Sequence, residues 1–501
     1  MYKRLLPVFF FLFCLTESFA QVERPKERPV VGIVLSGGGA KGFAHVGMLK
    51  IIDSLGIPID FVGGTSMGSV VGSMYALGYS PDQIEQIVQD VDWDELMSNP
   101  SPRKYQSYLN KQTDGRYLFK ANLKGLSVYT PSGYINGQKM LAKLNEVSQN
   151  YHGYHNFLED FPRKFLCITA DLRTGKENVV TEGSLADAVR ASVSFPSLFT
   201  PYRIDGELKV DGGTVNNFPV DRLKELGCDI IIGLSVQSPP KDTLGEISFV
   251  EVLEHMGVFS DVVKNQSRVE LCDILLNPNM KGVSLTDFGN NRVITQLGEV
   301  EARLHLEELI KLKKRIDREP YYPEPYESPD SVTISSLRVN GLKKRTGVNI
   351  EDMFGVETGE THAIEDLEES QKIVYGTDRF NKVQYQLLGN GPDNREMLID
   401  VEEKSTNTQV GFNLHFDSDF GAAIGLNLTM FDALLDGATF GLDAQLRTEP
   451  WAKIYYSFDR GKYPGFYVES KYYSAKPAIY IDKNFRGNVK LHDWSTYVAL
   501  Q

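Results

Sequence analysis

Two stretches decide the fold of this 501-residue chain: Val31-Gly-Ile-Val-Leu-Ser-Gly-Gly-Gly-Ala-Lys-Gly-Phe43 and, a little further on, Gly64-Thr-Ser-Met-Gly68. The first is an apolar run entering a cluster of glycines and then a helical pattern. Gly37, Gly39 and Gly42 satisfy G-x-G-x-x-G, which in a dinucleotide-binding fold requires an acid at the end of the second strand to hold a ribose. Here the second strand, Asp60 to Gly63, carries its acid at the beginning and runs into Gly64-Thr65-Ser66-Met67-Gly68. Glycines two before and two after a serine let a strand reverse sharply into a helix, here Ser69 to Leu77. Such a turn holds the hydroxyl at a helix N-terminus, where backbone N–H groups offset developing negative charge. The spacing therefore points to a nucleophilic serine at position 66 rather than to a nucleotide site.

A serine hydroxyl at neutral pH needs a base. The chain has 8 histidines, at 45, 152, 155, 255, 305, 362, 415 and 492. His45 lies in the helix after the glycine loop, where packing is its ordinary role. His152 and His155 lack an acidic third ligand nearby, so a solvated loop is the simpler reading than a metal pair, and no metal site is expected. His255 is the best placed for a Ser-Asp-His triad. The alternative base is an aspartate. Tyr202 to Val210 has the pattern of a hairpin turning at Asp205-Gly206, and its second strand delivers Asp211-Gly212-Gly213, followed by Asn216, Asn217 and Pro219.

Outward from these motifs, short apolar runs such as Phe165 to Ala170 and Ile230 to Val236 alternate with helical patterns such as Gly47 to Leu55. This alternation predicts an α/β layer with a mainly parallel central sheet from about Val30 to Arg315. The residues before it look like an export signal over 1–20: Lys3 and Arg4, an apolar run from Val8 to Leu15, then Ser18 and Ala20. Cys14 falls within that signal, and Cys167, Cys228 and Cys272 have neither disulfide-framework nor zinc-ligand spacing, so they read as core thiols. A proline-rich linker, 318–330, ends the hydrolase-like segment of 21–317.

Residues 331–404 then predict a small α+β unit with strands at Leu337 to Val339, Val383 to Leu388 and Met397 to Val401. From 405 to 501 the pattern alternates with period two: Val410, Phe412, Leu414 and Phe416; Ile424, Leu426, Leu428 and Met430; Phe440, Leu442, Ala444 and Leu446. Strands of this length, apolar on one face and rich in Tyr and Phe, suit an antiparallel transmembrane β-barrel, and a soluble sandwich is the competing reading. About six strands fit before Gln501, fewer than the roughly eight of a single-chain barrel, so a fragment or pairing with another chain is expected. The formal charge of -13 argues against a nucleic-acid partner.

Taken in order, Gly37-Gly-Gly, Gly64-Thr-Ser-Met-Gly, Arg190-Ala-Ser-Val-Ser-Phe-Pro-Ser-Leu-Phe-Thr-Pro and Asp211-Gly-Gly resemble the patatin-like phospholipases from about Val31 to Leu312. The resemblance implies a Ser66–Asp211 dyad, an oxyanion hole from Gly37, Gly38 and Gly39, and a supporting motif of Lys41, Gly42, Gly64, Met67, Gly68, Gly212 and Gly213. It also implies hydrolysis of fatty acyl esters of phospholipids or lysophospholipids with no metal or cofactor. Lys41 stands where the family commonly has arginine, which keeps the charge and loses the bidentate fork. The small unit resembles a POTRA module through Val339, Gly341, Phe380, Val383 and Tyr385. The whole order resembles the patatin-like autotransporters, which implies an exported lipase at the outer membrane, periplasmic or at the cell surface, with outer-membrane lipid and the barrel-assembly machinery as partners. A transport or assembly pore carrying an inactive binding module is the alternative.

Overall fold

The computed structural model describes residues 29–237, 267–316 and 323–500, apart from 114, 126, 130–131, 325, 328, 343–349, 390–392, 418–420, 436, 461–462, 477 and 482–483. The export signal and His255 therefore lie outside the described residues, as does much of the proline-rich linker.

Five parallel strands form the heart of the first unit. Their order is Lys164–Asp171, Phe61–Thr65, Val31–Leu35, Ile230–Leu234 and Ile274–Leu276, with the hairpin Tyr202–Ile204 and Glu207–Asp211 added antiparallel at one edge. The central strands are buried on both faces, which is why they read as continuous apolar runs. Val31, Ile33, Leu35 and Val62 pack under the helices Ala44–Ser54 and Met67–Leu77. On the opposite face Val34, Phe61, Leu166 and Ile231 pack against Phe218, Val220 and Leu223. The result is the layered α/β sandwich the alternating pattern predicts.

The second unit is a four-stranded sheet ordered Thr361–Ala363, Ser331–Asn340, Arg395–Glu403, Phe380–Leu388, packed on the helix Ile364–Gly376. The short strand Thr361–Ala363 has no counterpart in the sequence expectation, because three residues carry too little periodicity to register. Phe380–Leu388 is the edge strand, and its free side is covered by side chains of the first unit. Gln138 Nε2 donates to Val383 O and Val383 N–H donates to Gln138 Oε1. Asn145 Nδ2 donates to Tyr385 O at 2.7 Å, and Leu387 N–H donates to His152 Nδ1 at 3.0 Å. Alternate residues of the strand are thus matched by polar side chains that stand in for a neighbouring strand, which blunts an otherwise adhesive edge.

The third unit is an antiparallel meander of Thr408–Asp417, Gly421–Phe431, Ala438–Leu446, Trp451–Arg460, Tyr463–Ala475 and Leu491–Leu500. Its burial is inside-out. Leu414, Leu446 and Ile454 are 63%, 54% and 50% exposed, whereas Asp443 and Tyr455 on the other face are 0% and 1% exposed. A water-soluble sandwich buries its apolar face, whereas here the apolar face of the sheet is the exposed one. The sheet also recruits residues from far upstream: Phe119–Lys124 pairs antiparallel with Thr408–Asp417, and Ser127–Tyr129 pairs with Phe119–Lys124. Tyr117 Oη donates to Asp443 Oδ1 at 2.9 Å and Arg116 lies 3.2 Å from Asp443 Oδ2, so this insertion packs on the polar face.

Candidate active site

Ser66 sits between the strand Phe61–Thr65 and the helix Met67–Leu77, with φ 53 and ψ -127. A non-glycine residue held there is strained, and the surroundings show what enforces it. A Cβ on Gly64 would meet Gly68 O at 2.5 Å, and one on Gly68 would meet Leu35 O at 2.3 Å. The flanking glycines are therefore demanded by backbone-to-backbone contact. Ser66 N–H donates to Ser192 Oγ at 3.0 Å, and Ser192 Oγ in turn donates to Ile168 O at 2.7 Å. Ser69 Oγ donates to Ser66 O at 2.6 Å. The serine backbone is thus anchored on both sides, leaving its hydroxyl to face the base.

The group that hydroxyl meets is an aspartate. Ser66 Oγ donates to Asp211 Oδ2 at 2.7 Å, and Gly213 N–H donates to Asp211 Oδ1 at 2.7 Å. Asp211 ends the strand Glu207–Asp211, and its own N–H is held by Ser194 O at 2.9 Å. Asp205 and Gly206, both at positive φ, make the hairpin turn that brings this strand back. Gly212 allows the turn to close against Ile168 O, which a Cβ would approach to 2.3 Å. Burial pushes the Asp211 carboxyl up to about 6, against the lowering influence of the Ser66 hydroxyl and the Gly213 N–H. A carboxylate near the working pH is matched to taking and returning a proton.

The glycine loop needs one correction to the expected oxyanion set. Gly37 N–H donates to Asn217 O at 3.2 Å, which takes it out of the donor group. Gly37 serves close approach instead, since a Cβ there would lie 2.3 Å from Asn217 Oδ1 and 3.1 Å from Ser66 Cβ. The N–H groups of Gly38 and Gly39 have no acceptor among the described residues, and Gly39 adopts a positive φ of 53. Ala40 N–H is bound to Leu285 O and Lys41 N–H to Gly38 O. Lys41 is buried, and Gly42 admits Met67, whose Cγ would sit 2.4 Å from a Cβ at 42.

No histidine hydrogen-bonds Ser66 or Asp211 among the described residues. His45 is buried and its Nε2 donates to Ser36 O at 2.8 Å, so it braces the glycine loop. Desolvation lowers it to about 4, which keeps the ring neutral. His155 lies 3.2 Å from Asp160, and His305 stands between Glu301 and Glu308. Ser192, Ser194, His45 and Asn217 are the residues that motif reading does not single out for the site. Arg190 is a further one: its buried guanidinium donates to Asn136 O, Gly137 O and Ser194 Oγ, so it props the segment that anchors both Ser66 and Asp211. The motif Arg190-Ala-Ser-Val-Ser hinted at Arg190, Ser192 and Ser194, and the run after Asp211-Gly-Gly hinted at Asn217.

A strained serine on an elbow, a carboxylate on its hydroxyl and two loop amides without an acceptor among the described residues come together at one end of a parallel sheet. Residues 33–224 match the family model of the patatin-like phospholipases, so the chain carries a patatin-like phospholipase domain. It is 32% identical over 206 residues to lysophospholipase NTE1 of Coccidioides immitis, a match covering 41% of this chain and 11% of that protein. It is 32% identical over 225 residues to a patatin-like phospholipase domain-containing protein of Caenorhabditis elegans, covering 44% of this chain and 14% of that one. Among solved structures, VipD from Legionella pneumophila aligns with a TM-score of 0.33 and 15% identity, over 56% of this chain and 67% of that one. The chain thus spans only a small fraction of the curated relatives' own length.

Proposed function

We propose that this protein is a serine esterase acting on fatty acyl esters of phospholipids or lysophospholipids, with Ser66 as nucleophile and Asp211 as its base. The observation that carries the reading is the 2.7 Å hydrogen bond from Ser66 Oγ to Asp211 Oδ2, with the amides of Gly38 and Gly39 left without an acceptor among the described residues. Asp211 accepts the hydroxyl proton as Ser66 Oγ bonds to the acyl carbon, and the carbonyl electron pair moves onto oxygen. The loop amides stabilise that oxyanion, an effect of about 3–4 kcal/mol per donor. The ester C–O bond breaks, and the leaving alcohol takes the proton from Asp211. Water then gives a proton to Asp211 and attacks the acyl-serine. The fatty acid departs, and Ser66 recovers its proton.

The domain assignment is consistent with relatives described as lysophospholipases. For location, we infer an exported protein whose C-terminal strands lie in the outer membrane, inserted by barrel-assembly machinery, with the POTRA-like unit between sheet and enzyme. The inside-out burial of the third unit supports this reading. No helix among the described residues is long and apolar enough to cross a membrane. The competing reading, a pore with an inactive binding module, is less well supported. The paired Ser66 and Asp211 suit chemistry, and the polar face of the sheet is engaged by Arg116 and Tyr117.

Fluorophosphonate labelling followed by peptide mass spectrometry tests the proposal. An adduct is expected on Ser66, and Ser66→Ala and Asp211→Asn are each expected to lower lysophospholipid hydrolysis by about 10³–10⁴-fold. A folded protein that takes no label would favour the binding module.

A further inference from the structure

We propose that Asn217 is a positioning residue that aims the oxyanion loop, an inference that rests on the esterase reading above. Asn217 grips Gly37 from two directions. Its backbone oxygen accepts from Gly37 N–H at 3.2 Å, and its side-chain Nδ2 donates to Gly37 O at 3.4 Å. A trans peptide is planar, with its C=O and N–H pointing opposite ways. Holding the Gly37 carbonyl toward Asn217 therefore turns the Gly38 N–H away from Asn217. On the Ser36 side, His45 Nε2 donates to Ser36 O, so the peptide preceding Gly37 is held at both its oxygen and its N–H.

The grip also ties the oxyanion loop to the base. Asn217 belongs to the turn that Asp211 opens: Val215 N–H and Asn216 N–H both donate to Gly212 O, and Gly213 N–H donates to Asp211 Oδ1. Asn217 Oδ1 would lie 2.8 Å from a Cβ on Gly213 and 2.3 Å from one on Gly37. Glycine at both positions is what lets this amide sit between the two loops. One turn thus delivers the proton acceptor at its start and the loop clamp at its end. Any drift between the two strands would move base and oxyanion donors together.

Steady-state kinetics on a lysophospholipid, with binding of a fatty-acyl trifluoromethyl ketone as a tetrahedral mimic, test the assignment. Asn217→Ala keeps the backbone contact and removes the amide donor. The expected result is a kcat lowered about 10–100-fold with KM within about twofold, a fraction of the loss for deleting an oxyanion donor outright. Affinity for the ketone should fall by the same factor as kcat/KM, and the acid limb of the pH profile should not move. Asn217→Ser, which returns a short donor, should recover part of kcat and serves if the alanine variant folds poorly. Turnover of the alanine variant at the wild-type kcat, or a loss confined to KM in either variant, overturns the assignment while leaving the dyad intact. A wild-type protein that hydrolyses no acyl ester refutes the esterase reading instead.

Discussion

Asp211 carries opposite consequences for activity and for stability. In the proposed role of base it must be ionised, so with its carboxyl at about 6 the value of kcat/KM should be level above that pH and fall about tenfold per unit below it. A profile that stays level down to pH 4.5 would remove Asp211 from the role. For stability the sign runs the other way. The folded-state value lies above the ordinary 3.8, so the native protein binds this proton more tightly than the unfolded chain does. Its contribution is fully present below about 3.8 and lost as the pH rises through about 6. Asp211→Asn, which cannot ionise, should therefore raise stability at pH 7.5 by about 1–3 kcal/mol while abolishing turnover. The gain should shrink toward pH 4.5, as paired thermal melts would show. Ser66 and Asp211 were both legible from motif order. The bracing by Ser192, His45 and Asn217 was not, because a serine, a histidine or an asparagine in a buried turn has no spacing signature.

The elbow is the element on which the site depends. Gly68 and Gly72 lie in the same helix, yet their surroundings differ. A Cβ at 68 meets the backbone oxygens of Leu35 and Ser36 at 2.3 and 2.6 Å, whereas at 72 the nearest atom is a Val62 methyl at 3.1 Å. Gly68→Ala must push a helix off the central sheet and should cost about 1–3 kcal/mol together with most of the activity. Gly72→Ala should lie within about 1 kcal/mol of wild type, since helix propensity offsets mild crowding. Denaturation midpoints of the two variants make the comparison, and equal losses would show that the close approach at 68 is not what demands glycine. At this scale the sequence spoke clearly wherever a strand was buried on both faces or a turn required positive φ, as at Asp205-Gly206. It was silent on Phe119–Lys124, whose mixed exposure follows from a pairing partner almost three hundred residues away, and on the exposed Ser127–Tyr129 that pairs with it.

Across the whole molecule, the first two units are joined by hydrogen bonds that a pH change can address selectively. His152 accepts from Leu387 N–H through Nδ1 and donates to Asn145 O through Nε2, so it must be neutral to do both. Burial lowers it to about 4, with Arg395 and His155 pressing in the same direction and the Tyr385 ring against its edge. Its contribution to the docking is complete above about 6.5 and disappears as the pH falls through about 4. Hydrogen exchange, corrected for intrinsic rates, should show the Leu387 amide losing protection below pH 4. Gln138→Ala should expose the Val383 amide at neutral pH. Unchanged protection in both cases would mean that the units dock through other contacts. The small unit also grips the third sheet, because Arg379 lies 2.5 Å from Asp432 and donates to Gly437 O at 2.6 Å. Arg379→Ala leaves the partly exposed Asp432 without this partner and should loosen the third sheet from the small unit, read as faster hydrogen exchange of the Gly437 amide.

What the sequence determined by itself is local. Backbone geometry allows few ways to turn a strand into a helix around a serine, so the glycine spacing announced the elbow at Ser66, and the period-two alternation announced strands with one apolar face. What it could not determine is which groups are consumed by other partners. Gly37 looked like an oxyanion donor until tertiary contact supplied Asn217 O as its acceptor. Alternation alone could not say whether the apolar face of the meander turned inward or out, since that depends on what covers the polar face. Only folding brings Arg116 and Tyr117 onto Asp443, and a hydrogen bond between residues so far apart in the chain leaves no local pattern behind.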